Sequence, residues 1–133
     1  MLVITDKQPY AQLICCGIKD VENRTWKTSV RGRVLIHASK KPERIKLEIE
    51  GQVTVKEIEM LSTLGFVEEN DLFGCIIGSV EIVDCVRNHP SIWAERDCYN
   101  WVLDNPILFS KPIRDIKGKL GFWSYPDIIE INT

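Results

Sequence analysis

Within the stretch GIKDVENRTW, residues 17–26, stand Lys19, Glu22, Arg24 and Trp26. Each type has a distinct chemistry. The planar fork of Arg24 suits a phosphate or a carboxylate. Lys19 is a compact charge whose basicity falls if it is desolvated, which makes it a candidate general base. Glu22 can hold either cation in place, or accept a hydrogen bond from a nucleobase amino group. The indole of Trp26 offers a stacking face, worth about 1–3 kcal/mol per base. Three readings follow from types and spacing. The cluster reads a ligand; or it is a metal-free hydrolytic site, with a base, a water and a group for the oxyanion; or Glu22 and Arg24 are a salt-bridged pair on a rim, worth about 0–1 kcal/mol.

Other residues are candidates for the same cleft. His37 and Ser39 end a β-type run, although a histidine there also reads as half-buried and satisfied. Trp93 and Glu95 lie in the connection WAE, and Trp123 follows the glycine-containing GKLG. Trp101, inside YNWVL, reads as core. A metal site is poorly supplied, with only His37 and His89 as imidazoles and no CxxC. The five cysteines, Cys15, Cys16, Cys75, Cys85 and Cys98, are odd in number and read as free, mostly buried thiols. None has a local histidine partner, which argues against a thiol nucleophile. No cofactor is expected.

The elements that must position these side chains follow from period and punctuation. LVIT opens the chain as a strand. QPYAQLICCG reads as a short helix, with Pro9 in its first turn and Gly17 as its stop. Beyond Gly17 the period changes to two, so Glu22, Arg24 and Trp26 share one strand face. RGRVLIHAS reads as the next strand, joined through KTSVRG, and the two are expected to pair as a hairpin. ERIKLEIE is read as helix, and TVKEIEMLSTLG as a clearer one, with Thr54 and Glu57 at capping-box spacing. LFGCIIGSVEIVDCV is a long β run with Gly74 and Gly78 as natural bends. SIWAERDC reads as a short helix or loop, YNWVLDNP and ILFSKPI as two strands interrupted at Pro106, and GKLGFWSYP as the closing segment. Expected strands are near 2–5, 20–26, 33–38, 72–86, 98–103 and 118–125, and helices near 8–16 and 54–64. The fold class is α+β, a small β-barrel with flanking helices.

Length and composition bound the rest. A chain of 133 residues, 44% hydrophobic and 27% charged, fits one domain spanning 1–133. No apolar run approaches the roughly 20 residues of a membrane span, and MLVITD lacks the pattern of a cleavable leader, so a cytoplasmic protein is expected. The net charge of −2 divides into +4 over residues 1–50 and −6 over the remainder. The basic part, densest from Lys19 to Lys46, can attract a phosphate or be a solvated face. The negative total argues against tight non-specific binding to long duplex DNA, and less against a short ligand in one cleft.

QPYAQLICCGIKDVENRTWKTSVRGRVLIHASK resembles the start of an ASCH (activating signal cointegrator homology) domain. The matching features are the initial Gln-Pro, the helix ending at Gly17, the G-x-K-x-x-E-x-R pattern and the arginine–glycine turn before VLIHAS. GSVEIVDCV, WAE, YNWVLDNP and GKLGFW extend the resemblance over nearly the whole chain. It implies a PUA-like barrel with a cleft whose charged groups are Lys19, Glu22 and Arg24. It also implies a partner that is RNA or a modified nucleoside or nucleotide. Some short members of the family deacetylate N4-acetylcytidine, and ribonuclease activity has been proposed in others. In the deacetylating members a hydroxyl residue occupies the position of Glu22, which sets this chain apart from them. The resemblance therefore implies an RNA- or nucleotide-binding module first. A metal-independent hydrolase with Lys19 as base and Glu22 beside it comes second, and a protein-interaction or coactivator module third.

Overall fold

A computed structural model of the chain describes residues 1–40 and 72–126. Seven elements occur there: β1 (Leu2–Asp6), α1 (Tyr10–Cys15), β2 (Val21–Arg24), β3 (Gly32–Ala38), β4 (Cys75–Val86), β5 (Tyr99–Ile113) and β6 (Trp123–Ser124). The strands form one sheet in the order β2-β5-β4-β3-β1-β6. It is curled and strand-rich, with one short helix packed on it, as expected of a small PUA-like α+β barrel. The helices expected over 43–50 and 54–64 lie outside the described residues. No helix of the described residues is long and apolar enough to cross a membrane.

Alternation along the strands builds two apolar faces. Ile4, Val34, Ile36, Val80, Ile82 and Trp101 pack with Ile14 of α1. Their neighbours Val3 and Leu35 point the other way, against Ile76, Phe109 and Trp123. This is the two-residue period of a strand buried on both sides. Burial of each large aliphatic side chain is worth about 1.5–3 kcal/mol, so these two clusters hold the sheet.

The pairing corrects the hairpin expectation. β2 does not pair with β3. It runs antiparallel to β5, with Glu22 opposite Trp101 and Arg24 opposite Tyr99. β3 lies between β4 and β1 and is parallel to β1, with Thr5 opposite His37. The polar KTSVRG segment resembles a hairpin turn, but the chain crosses there from the edge strand β2 to the interior strand β3. Trp26 shows why: its carbonyl accepts the buried Trp101 indole N–H at 3.2 Å.

The interruption at Pro106 is corrected too. β5 continues through it as one strand to Ile113. Asn105, at φ 49°, and Pro106 sit where the β4–β5 register shifts, between the pairs Ser79–Ile107 and Glu81–Asp104. A bulge of this kind tolerates a residue with no N–H. β4 bends through two further shifts, at Ile76–Gly78 and at Ile82–Asp84. SIWAERDC is a loop. The strand expected over 118–125 shrinks to Trp123–Ser124, because the residues before it form a loop. The five thiols are free: Cys15 and Cys75 are buried, Cys85 and Cys98 half-buried, and Cys16 exposed.

Candidate functional site

Lys19 is placed by the end of α1. Gly17, at φ +81°, adopts the left-handed conformation that closes a helix. Its N–H bonds to Ile14 O at 3.0 Å, and the Ile18 N–H returns to Leu13 O at 3.0 Å. This is the paired Schellman closure, and the Lys19 N–H adds a third bond, to Leu13 O at 3.1 Å. The Lys19 side chain then folds inward. Its Nζ donates to Val21 O at 2.9 Å and lies 5.5 Å from the Tyr10 ring centre and 5.3 Å from that of Trp93. It also lines a small cleft, about 120 Å³, with Asp20, Asp104 and Pro106.

Glu22 and Arg24 project from the edge strand β2 toward β1, which is not its ladder partner. Arg24 Nη2 donates to Glu22 Oε2 at 2.8 Å, to Thr5 O at 3.0 Å and to Asp6 Oδ1 at 3.2 Å, and Nε reaches Glu22 Oε2 at 3.2 Å. The guanidinium therefore clasps two strands that the backbone leaves apart. Glu22 is buried, and the Asp6 and Arg24 side chains are 10% and 22% exposed.

Asp6 is the member that sequence reasoning missed. The signal was there: Ile4 faces the core, and a residue two positions on shares that face. Its Oδ2 is buried with no hydrogen-bond partner. A carboxylate oxygen only accepts, and so does the facing Glu22 carboxylate, so a proton on Asp6 satisfies both. Burial first, then the Glu22 charge, push the Asp6 carboxyl well above its usual range. Burial also pushes Glu22 upward, but the hydrogen bond from Asp6 and the charges of Arg24 and Lys19 together bring it below its ordinary value. The pair titrates together, with Asp6 as the proton holder.

Beside the clasp is an aromatic cluster. Arg24 Cζ lies 5.8 Å from the Trp101 ring centre. Phe122 stacks on Trp101 at 5.3 Å and an interplanar angle of 6°. Trp26 stands edge-on to both, at 4.7 and 5.6 Å, and is 38% exposed. Glu22, Arg24 and Trp26 are thus gathered around Trp101, together with Asp6 and Phe122.

The remaining candidates lie elsewhere. Trp93 packs with Leu13 and Val21 beneath Lys19. Glu95 is exposed, and its backbone N–H bonds to Asn23 Oδ1 at 3.0 Å. His37, Ser39 and Trp123 belong to the opposite side of β1. There the Trp123 indole donates to Thr5 Oγ1 at 3.1 Å, and Thr5 Oγ1 lies 3.2 Å from His37 Nδ1. Among the described residues no three His, Cys, Asp or Glu side chains are grouped for a metal ion.

Comparison with known proteins agrees with the fold. The ASCH domain profile matches residues 4–113. Activating signal cointegrator 1 of Homo sapiens and that of Mus musculus are each 34% identical over 126 residues, covering 87% of this chain and 21% of theirs. The chain spans about a fifth of the length of these curated relatives. With the profile match running from β1 to the end of β5, the chain belongs to the ASCH domain family.

Proposed function

We propose that this domain binds RNA or a nucleotide at the clasp side of β1, with the base on the Trp26–Phe122 surface and Arg24 at its edge. One observation carries the reading. A guanidinium held by three oxygens lies over Trp101, while the neighbouring Trp26 ring is open to solvent. Oriented cations and stacking rings together are how sequence-tolerant single-strand sites work. Binding is favoured over hydrolysis because Lys19 Nζ donates to Val21 O and sits between two rings, on a separate cleft.

Anisotropy titration of a labelled single-stranded RNA octamer, with free nucleosides as competitors, tests this. Trp26→Ala should weaken binding by about 5- to 150-fold, the equivalent of 1–3 kcal/mol of stacking. No binding by the wild type, or equal binding by the variant, overturns the reading. Lys19→Ala separates the alternative. A binding module loses little affinity, whereas a hydrolase using Lys19 as base loses about 10²–10⁴ in turnover of an acylated cytidine.

A further inference from the structure

The other side of β1 carries a second, larger cleft, about 560 Å³. Its floor is Thr5 and His37. Its wall is the loop between β5 and β6, at Lys117, Gly118 and Lys119. The loop is seated on this floor. Ile116 N–H bonds to Gly74 O at 2.9 Å, and Ile116 O lies 2.7 Å from His37 Nε2. Gly118 then runs so close that a Cβ there would stand 2.8 Å from His37 Cε1 and 3.0 Å from Thr5 Oγ1. A glycine is what lets the backbone lie flat on the imidazole.

The floor is polar but uncharged. A carbonyl only accepts, so His37 Nε2 carries the hydrogen, and Nδ1 is left to accept from the Thr5 hydroxyl. Thr5 in turn accepts from Trp123. Burial favours the neutral imidazole by lowering its pKa, against the backbone bond that raises it. Among the described residues the charge of the lining therefore comes from Lys40, Lys117 and Lys119, each exposed. Among the described residues no acid lines the cleft and no carboxylate pairs with any of the three. Asp115, two residues before Lys117, is outside the lining. Three cations around one concave surface, with no carboxylate partner among the described residues, are a site for anionic charge.

The cleft's shape and position indicate which anion. It is far larger than one phosphate group, and its cations come from two separate segments, Lys40 after β3 and Lys117 and Lys119 in the β5–β6 loop. Leu120, 98% exposed, stands at the same rim and offers an apolar contact between charges. The loop runs on directly into Phe122, which stacks on Trp101 at the aromatic cluster. We propose that this cleft is a phosphate track, taking consecutive backbone phosphates of a single strand whose bases reach the Trp26 surface. The proposal rests on the RNA-binding reading above for its strand, but not for its phosphate chemistry.

The test compares wild type with Lys40→Ala/Lys117→Ala/Lys119→Ala, using octauridylate and inorganic phosphate as probes. Octamer affinity is measured from 50 to 200 mM salt, and the Gly118 amide is followed by NMR. Each lost phosphate contact should flatten the log–log salt dependence by about 0.7, so the triple variant should be shallower by about 2. The Gly118 resonance should move with octamer in the wild type and stay still in the variant. An unchanged salt slope with the octamer still bound overturns the track and leaves the base site standing. Should the wild type bind no octamer, the RNA reading fails alone, and inorganic phosphate decides the cleft. A Gly118 shift lost in the variant then supports a site for a free phosphate group. No shift in the wild type overturns it.

Discussion

Thr5 and Asp6 are consecutive, and their side chains face opposite sides of β1 into two kinds of charged environment. On the Asp6 side, Arg24 is matched by two carboxyls and a carbonyl, and little of it reaches solvent. On the Thr5 side, a neutral, fully bonded floor lies under three exposed lysines with no counter-charge among the described residues. The G-x-K-x-x-E-x-R charges are thus mostly turned on one another, while less conspicuous lysines have no ion-pair partner among the described residues. Buried charges need partners, since desolvation costs several kcal/mol per ion. A matched cluster therefore holds strands together and offers a ligand only its edge. An unmatched one has little structural use and keeps its whole field for a ligand.

The largest effect that can break this comparison is on stability. Arg24→Ala leaves Glu22 and Asp6 Oδ1 without their cation and β2 without its tie to Thr5 O. Removing one partner of a buried pair should cost about 3 kcal/mol, near the lower end of its range because Arg24 keeps some exposure. Arg24→Lys retains a charge but not the fork, and should cost less. The motif alone suggests that a cleft charge is dispensable to folding; the clasp geometry predicts the opposite. Urea denaturation decides it. If Arg24→Ala unfolds within about 0.5 kcal/mol of wild type, the ordinary range for surface substitutions, the cluster is a rim pair.

A second test acts through pH. A carboxyl whose folded pKa lies above its unfolded value gives stability that is full below the unfolded value and falls as pH rises through the folded one. Asp6 is such a group. Glu22, lowered, supplies the opposite limb: stability present above its unfolded pKa and lost as pH falls through its folded one. Asp6→Asn keeps an acceptor for Arg24 and a donor for Glu22 and removes only the titration. Its stability relative to wild type should therefore improve steadily as pH rises above the ordinary carboxylate range. Denaturation midpoints from pH 4 to 9 measure this. A variant that instead loses ground with rising pH shows that Asp6 is ionised and paired with Arg24 in the fold.

Legibility divides along the same lines. Glu22, Arg24 and Trp26 sharing a side was readable, because a two-residue period needs no tertiary information. The stop at Gly17 was readable because the closure is local, completed by Leu13 and Ile14. The β2–β5 pairing was not, since it is set by Glu22 meeting Trp101 across about 80 residues of chain. Pro106 misled because a strand is normally broken by a missing N–H, and only the partner's register shows that a bulge absorbs it. Asp6 was overlooked because its meaning depends on Arg24 arriving from another strand. The gathering of Lys40 with Lys117 and Lys119 had no local signal at all. It depends on a loop lying down over His37.

The smallest expected effect sharpens the contrast most. Lys117 and Lys119 are exposed, and neither has an ion-pair partner among the described residues. Replacing both with alanine should shift stability by no more than about 0.5 kcal/mol, as for most surface sites. The sign should be positive at low salt. Each lysine repels the other and Lys40 across the cleft, and no carboxylate among the described residues compensates for that repulsion. The gain should fade as salt is added, because the screening length falls from about 30 Å at 0.01 M to about 3 Å at 1 M. Arg24→Ala should show no such fading, because a buried pair is screened far less. Thermal midpoints of both variants at 10 mM and 1 M salt make the measurement. If removing the lysines costs more than about 1 kcal/mol at either salt, they are structural after all, and the free-charge reading of the Thr5 side is lost. If the lysine variant gains at low salt and the arginine variant loses equally at both, one strand separates a charge cluster that folds the domain from one held ready for an anion.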